Sequence, residues 1–338
     1  MTTLKEIANL ANVSISTVSR ILNNDNDFIV KDETRHLVKK IAKEKNYNIK
    51  SKSKITKKNN IAFLSEISDS NQISNPYFSK LSNTITREFK SRNYNIKYFY
   101  LSLISINEIK NDFDFFIVMG HISDNFIKDL IDIKERVIFI GSSPTSVNFD
   151  SIKPNFQYAI KQIFNDLLNS KISTVGFIGA SSLFKSKKDV YDIYLNERFL
   201  IFKAVAQELG MYDAKNVLNG AYDIDDAYNL MNELIDRGDL SQAYIIANDQ
   251  MAVGAMKALI DKNISIPGQV RIYSFDNTEI AKYSPISITS VDLDIEKMVE
   301  TIFFAMDSRN SGRDYPIQFS IANTLIKRES TSIDKNLK

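Results

Sequence analysis

Three side chains in the second half of the chain pair suitable chemistry with a suitable local setting for binding a polyhydroxyl compound. Asn248 follows the strand-like run Ala243–Ala247 and offers both a donor and an acceptor. Asp276 follows the run Val270–Phe275 and can accept from paired hydroxyls. Arg198 supplies fork-like donors for ring or hydroxyl oxygens. Asn and Asp after strands also cap the following helix, which is the competing structural reading. Other chemistry has little to work with. The 338 residues include no cysteine, so thiolate nucleophiles, zinc-thiolate sites and disulfides are excluded. With only two histidines, His36 and His121, a three-histidine metal site is excluded as well. His121 follows Gly120 at a strand end, but no nucleophile is evident beside it. The segment Gly176-Phe-Ile-Gly179 lacks the third glycine of a dinucleotide fingerprint and reads as core packing. Asp225-Asp226 and Asp112/Asp114 read as helix-start and loop charges. No cofactor or metal is expected, and the chain does not read as an enzyme.

A second chemical signature lies at the N-terminus. Leu4, Ile7, Ala8 and Ala11 line one face of a short helix, and Asn12-Val13 makes a tight turn. Ser14 can cap a second helix whose buried side is Val18, Ile21 and Leu22. Its opposite face carries Ile15, Ser16, Ser19 and Arg20. Such a helix, apolar behind and fronted by short polar groups and one arginine, can enter a major groove. A third helix is expected over about Asp32–Lys45, with Thr34, Val38, Ile41 and Ala42 inward. Charge supports a polyanionic partner for this head. Residues 1–58 hold 13 Lys/Arg against 6 Asp/Glu, a net of +7, whereas the remainder nets −5 beneath an overall +2.

Beyond residue 60, strand-like runs at Ile61–Leu64, Asn95–Leu101, Phe113–Met119, Val137–Ile140, Thr174–Ile178, Ala243–Ala247 and Val270–Phe275 alternate with helical periodicity. The latter covers Tyr77–Arg92, Asn155–Asn169, Asn196–Leu209 and Asp249–Lys262. This alternation predicts parallel sheets covered by helices on both faces. About 270 residues of it exceed one comfortable sheet, so two doubly wound subdomains with a ligand cleft at the carboxyl ends of their strands are expected. Met1 to Leu10 lacks a signal-peptide apolar core, and no run approaches the ~18–20 apolar residues of a membrane span. A cytoplasmic location is expected.

The run Leu4-Lys-Glu-Ile-Ala-Asn-Leu-Ala-Asn-Val-Ser-Ile-Ser-Thr-Val-Ser-Arg-Ile-Leu-Asn23, with Glu33-Thr34-Arg35 and Asn46-Tyr47, resembles the headpiece of the lactose/galactose-repressor family. Asn75-Pro76-Tyr77-Phe78, Asn196-Glu-Arg-Phe199, Ala247-Asn-Asp-Gln-Met-Ala252 and Ser274-Phe-Asp-Asn-Thr278 extend the likeness over the whole chain. It is nearest to galactose or β-galactoside repressors of low-GC Gram-positive bacteria. The resemblance implies a helix-turn-helix headpiece (1–47), a basic hinge or linker (48–59) and a periplasmic-binding-protein-like body (60–338). Subdomain one would take about 60–157 and 291–319, and subdomain two about 158–290 and 320–332. Ile15, Ser16 and Arg20 are implied to read base edges, while Thr17, Ser19 and Asn23 hold phosphates. The linker departs from the family's proline and Ala-Arg-X-Leu pattern. It reads Lys50-Ser-Lys-Ser-Lys-Ile-Thr-Lys-Lys58, so Ile55 would be the minor-groove wedge of a hinge helix, or the segment a solvated linker.

For the body, the resemblance implies effector contacts from Arg198, Asn248 and Asp276. Tyr222 stands where relatives place an aromatic wall, Tyr77 and Phe78 would close the cleft from the opposite subdomain, and Asp292 sits at a crossover. The expected protein is a homodimeric repressor on a pseudo-palindromic operator, its affinity changed by a sugar, galactose or a galactoside favoured. A purine or phosphosugar corepressor is the alternative effector. A sugar-processing enzyme or transport-type sugar-binding protein sharing the body fold is the alternative class.

Overall fold

The computed structural model describes residues 3–22, 28, 30–45, 59–65, 76–101, 103–120, 122, 124–144, 146–180 and 197–332. The chain divides into two compact units, Met1–Lys58 and Asn59–Lys338.

The first unit holds three helices, α1 (Leu4–Ala11), α2 (Ile15–Leu22) and α3 (Asp32–Glu44). A reciprocal capping box starts α1: Thr3 Oγ1 accepts from the Glu6 amide and Glu6 Oε2 accepts from the Thr3 amide. Asn12 ends it in the left-handed region (φ 51°), a conformation Asn tolerates better than most residues. The turn lets Ser14 Oγ accept from the Thr17 amide at 3.0 Å and so cap α2. Ile7, Ala8, Ala11, Val18, Ile21, Leu22, Val38 and Ala42 form the shared core. Thr34 and Ile41 are only half-buried at its margin.

The second unit contains two six-stranded sheets. Sheet A is built from β1 (Asn60–Ser65), β2 (Asn95–Tyr100), β3 (Phe115–Met119), β4 (Val137–Ile140), β5 (Asp150–Pro154) and β11 (Gln318–Ile321). Its strand order is β11-β5-β4-β3-β1-β2, parallel throughout. Sheet B is built from β6 (Val175–Ala180), β7 (Val217–Gly220), β8 (Ala243–Ile246), β9 (Arg271–Phe275), β10 (Thr289–Asp292) and β12 (Thr324–Ile326). Its order is β12-β10-β9-β8-β6-β7, and only the β10–β12 pair is antiparallel. The connecting helices are α4 (Pro76–Ser91), α5 (Ile106–Ile109), α6 (Asp124–Leu130), α7 (Phe156–Asn169), α8 (Glu197–Glu208), α9 (Ile224–Arg237), α10 (Asp249–Asp261), α11 (Glu279–Tyr283) and α12 (Ile295–Asn310).

Side-chain alternation distributes each strand between two cores. Ile61 and Phe63 face one cluster with α4 and α12, while Ala62 and Leu64 face another on the far side of sheet A. Ile245 likewise points to the first cluster, and Tyr244 and Ile246 to the core beneath α9 and α10. Gly176 and Gly179 serve this packing. A Cβ on Gly176 would overlap the Tyr244 ring, and one on Gly179 would crowd Phe177 and Asn219.

The strand runs and long helices expected from periodicity lie within two residues of the observed elements. Five strands, β5, β7, β10, β11 and β12, carry too few apolar residues to stand out. Buried polar partners hold two of them. Asp150, which begins β5, is fully buried and accepts from Arg309 Nε and from both terminal nitrogens of Arg313, each at 2.8 Å, and from the Ile317 amide at 2.7 Å. Desolvation works to raise its pKa, but these hydrogen bonds outweigh it and hold the carboxyl below its ordinary value. In β10, Thr289 and Ser290 are buried against Thr331, Ser330 and Asp249.

Candidate functional site

The carboxyl ends of β8 and β9 stand beside the place where the order of sheet B reverses, at β6, which is where such sheets gather ligand groups. Asn248 directly follows β8 and is almost fully buried. Its carboxamide oxygen accepts from the Met251 amide at 2.8 Å and caps α10, so Nδ2 is the group it can turn toward a ligand. Capping and contact are therefore compatible roles for one side chain.

Asp276 directly follows β9 and is 8% exposed. Its φ is +99°, and Asn277 follows at +47°, two successive non-glycine residues in a region that L-residues rarely adopt. Strain of this kind concentrates where a side chain must be aimed. Burial, then the nearby Asp249 charge, push the Asp276 pKa up to about 7, against the opposing pull of Arg198. Among the described residues, no donor reaches the Asp276 carboxylate. Asp249, by contrast, accepts from Ser274 Oγ, Ser290 Oγ, and both the amide and hydroxyl of Thr278.

Arg198, in the first turn of α8, lies half-buried with its guanidinium 5.3 Å from the Phe156 ring centre and 5.4 Å from that of Phe275. One terminal nitrogen donates to the Ala247 carbonyl, beside Asn248. Two rings and a carbonyl thus hold the planar cation in place. Lys153 of β5 pairs with the adjacent Glu197 at 2.9 Å, linking sheet A to the start of α8.

Tyr77 comes from the first turn of α4, on the side of sheet A. It is buried, meets Phe78 edge-on at 5.3 Å, and feels the charges of both Asp276 and Arg198. Burial chiefly pushes its hydroxyl pKa up, so it is a neutral donor and acceptor. Phe78 is half-buried on the same core. The structure therefore brings Tyr77, Arg198 and Asp276 together from two sheets, with Asn248 adjoining through Ala247. Tyr222 packs on the margin of the core under α9 and α10. Asp292 has both oxygens engaged within the protein, Oδ2 by Asn277 Nδ2 and Oδ1 by the Asp294 amide, each at 2.9 Å. Phe156, Phe275, Asp249 and Asn277 were not singled out by sequence. Asp249 lies within the quoted Ala-Asn-Asp-Gln run, but its hydroxyl partners come from 25 or more residues away.

In the first unit, Ile15, Ser16 and Arg20 are exposed along one side of α2, and Ile15 is 48% exposed despite being apolar. Thr17 and Ser19 are half-buried at the edge of that face. Ser14 Oγ also meets Ser16 Oγ at 2.7 Å and Thr17 Oγ1 at 2.8 Å, ordering the first turn. The Arg20 guanidinium lies 5.2 Å from the Phe28 ring centre. Asn23, Ile55 and His121 lie outside the described residues, and His36 is exposed on α3. Among the described residues no group of three or more His, Asp or Glu could hold a metal ion. Among them too, no helix is long and apolar enough to cross a membrane.

Residues 3–49 match the family of bacterial regulatory proteins of the lacI type, and residues 164–331 match the periplasmic binding protein-like domain. The HTH-type transcriptional repressor MelR of Bacillus subtilis (strain 168) is 32% identical over 340 residues, 98% of this chain and 97% of that protein. Among solved structures, the transcriptional regulator CelR in complex with cellobiose superposes with a TM-score of 0.68 at 20% identity, covering 98% of this chain and all of that one. The lac repressor dimer bound to operator and the anti-inducer ONPF superposes with a TM-score of 0.66 at 16% identity, over 98% of this chain and 99% of that one.

Proposed function

This chain belongs to the lacI family of bacterial regulatory proteins, and from that premise we propose a homodimeric repressor whose hold on a pseudo-palindromic operator is changed by a sugar. It is a transcriptional regulator, not an enzyme. Its place of work is the cytoplasm, where an operator is accessible. On the DNA side, Ile15, Ser16 and Arg20 read base edges while Thr17 and Ser19 hold phosphates, with Asn23 and Ile55 adding a phosphate contact and a minor-groove wedge.

On the effector side, Arg198, Asn248 and Asp276 bind hydroxyls, Tyr77, Phe78 and Tyr222 supply apolar walls, and Asp292 borders the loop that carries Asp276. One observation carries the sugar reading. A buried, strained Asp276 carboxylate without a donor among the described residues stands beside the guanidinium of Arg198. Hydroxyl donors from a polyol satisfy such a carboxylate, and aromatic rings meet the C–H faces of a sugar. Galactose or a galactoside is the favoured ligand. The lac repressor and CelR structures, which hold an anti-inducer and cellobiose, lend support through the shared fold.

A thermal-shift screen of sugars, phosphosugars and purines tests the assignment, because a ligand that binds the native state raises its melting temperature with occupancy. A sugar hit abolished by Asp276→Ala is expected. A purine hit with no response to any sugar overturns the ligand class.

A further inference from the structure

The chain crosses between the sheets of the second unit three times: at Asn155 after β5, at Leu293–Asp294 after β10, and at Ala322–Asn323 between β11 and β12. These crossings are joined to one another. The Asn155 amide donates to the Ile321 carbonyl at 2.9 Å. Gln162 of α7 donates to the Asn323 carbonyl at 3.0 Å and accepts from the Leu325 amide at 3.3 Å. Asn323, itself buried, donates through Nδ2 to the Asp292 carbonyl at 3.3 Å.

Asp292 carries the chain of contacts onward. Its Oδ1 accepts from the Asp294 amide in the second crossing, and its Oδ2 accepts from Asn277 Nδ2. Asn277 is the residue after Asp276. Its amide donates to Ser290 Oγ at 2.9 Å, and its Oδ1 accepts from Arg328 at 2.6 Å. Arg328 in turn donates to the Ile288 carbonyl at 2.8 Å. These three hydrogen bonds of Asn277 thus run to β10, which leads into the second crossing, and to the segment just after β12.

We propose that Asp292 is a positioning residue rather than a ligand contact: by accepting from Asn277 and from Asp294 it latches the Asp276 loop to the crossings between the sheets. A left-handed pair at 276–277 is held only by its surroundings, so this loop and the crossings move as one. The regulatory consequence rests on the reading that Asp276 meets the effector. Occupancy at Asp276 would then be felt at the segments that set how the two sheets lie to each other, which is a physical link between two elements and not mere proximity.

The donor and acceptor roles at this contact can be exchanged. Asn277→Asp alone sets two carboxylates face to face. Asn277→Asp with Asp292→Asn restores a donor opposite an acceptor, leaves an oxygen facing Arg328, and places at 277 another residue that tolerates positive φ. Amide hydrogen exchange on the full chain reads the outcome without any ligand. In Asn277→Asp and in Asp292→Ala, exchange over both 274–279 and 320–326 should rise by about tenfold or more, while β2 keeps its native rate. The double variant should return both segments to within about threefold of native. Acceleration of 274–279 with 320–326 unchanged, or no rescue in the double variant, overturns the latch. Operator binding with and without galactose, measured on the same variants, separately judges the effector reading, since the exchange result stands whether or not galactose binds.

Discussion

Asp249 and Asp276 are buried carboxylates just beyond the ends of adjacent strands β8 and β9, and of the two only Asp249 receives side-chain hydrogen bonds from the described residues. Four donations from Ser274, Ser290 and Thr278 anchor Asp249 to β9, β10 and the start of α11. Burial still raises its pKa. Its charge adds to the burial that keeps Asp276 reluctant to ionise. The pair therefore holds one carboxylate in place through hydrogen bonds, while the second is kept by burial and a neighbouring charge.

Removing the Asp276 charge should stabilise the ligand-free protein at alkaline pH. The folded carboxyl takes its proton at about 7 against an ordinary 3.8, so its contribution is fullest below pH ~4 and is lost as pH rises to 7. Asp276→Asn, which also tolerates positive φ, should raise stability at pH 8 by up to about 4 kcal/mol and leave it unchanged near pH 4. Urea unfolding at the two pH values checks this; an equal effect at both would contradict it.

Arg20→Ala should relax operator selectivity at one base pair in each half-site and cost about 1–3 kcal/mol of discrimination there. Selection of binding sites from a random pool reads this directly, and an unchanged consensus would exclude Arg20 as a base reader. Native operator affinity should also fall steeply between 50 and 200 mM salt, roughly as the number of phosphates neutralised.

Asp150→Ala should cost about 3–5 kcal/mol, because it strands the buried guanidinium groups of Arg309 and Arg313. The low pKa of Asp150 adds a pH signature. Its stabilisation is complete above the ordinary carboxylate value and is lost as pH falls through the depressed one. The native–variant difference in melting temperature should therefore shrink in acid, and a difference that grows below pH 4 would count against the triad.

Gly254→Ala should destabilise the body by about 1–3 kcal/mol, since α9 and α10 must separate to admit a methyl group. A Cβ there would overlap the Ile224 carbonyl. Unchanged denaturant midpoints in the variant would refute so close an approach.

Coupling between the two ligands must be reciprocal. If galactose weakens operator binding by some factor, operator must weaken galactose binding by the same factor. Titrating the sugar with and without operator measures both, and equal sugar affinities would show that the sites are independent.

Periodicity made much of this protein legible in advance. Val18, Ile21 and Leu22 had to be the inner face of α2, because only one stripe of an eight-residue helix is apolar, and that left Ile15, Ser16 and Arg20 outside. Runs such as Phe115–Met119 announced strands covered on both faces. Asn248 and Asp276 were legible as polar residues at strand ends. Strands β5 and β10 were not, since their buried Asp150, Thr289 and Ser290 become tolerable only beside Arg309, Arg313, Thr331 and Asp249.

Local order along the chain was thus enough to determine the helix faces, the apolar parallel strands at the centre of each sheet and the polar residues at their ends. Those features depend on spacing within a dozen residues. What only the tertiary structure decided was partnership over long separations. Tyr77 feels the charge of Asp276, Arg198 lies near the rings of Phe156 and Phe275, and Asp292 turns to Asn277 and Asp294. A carboxylate's role is set by the donors and charges that folding brings to it, and those lie up to about 200 residues away in sequence.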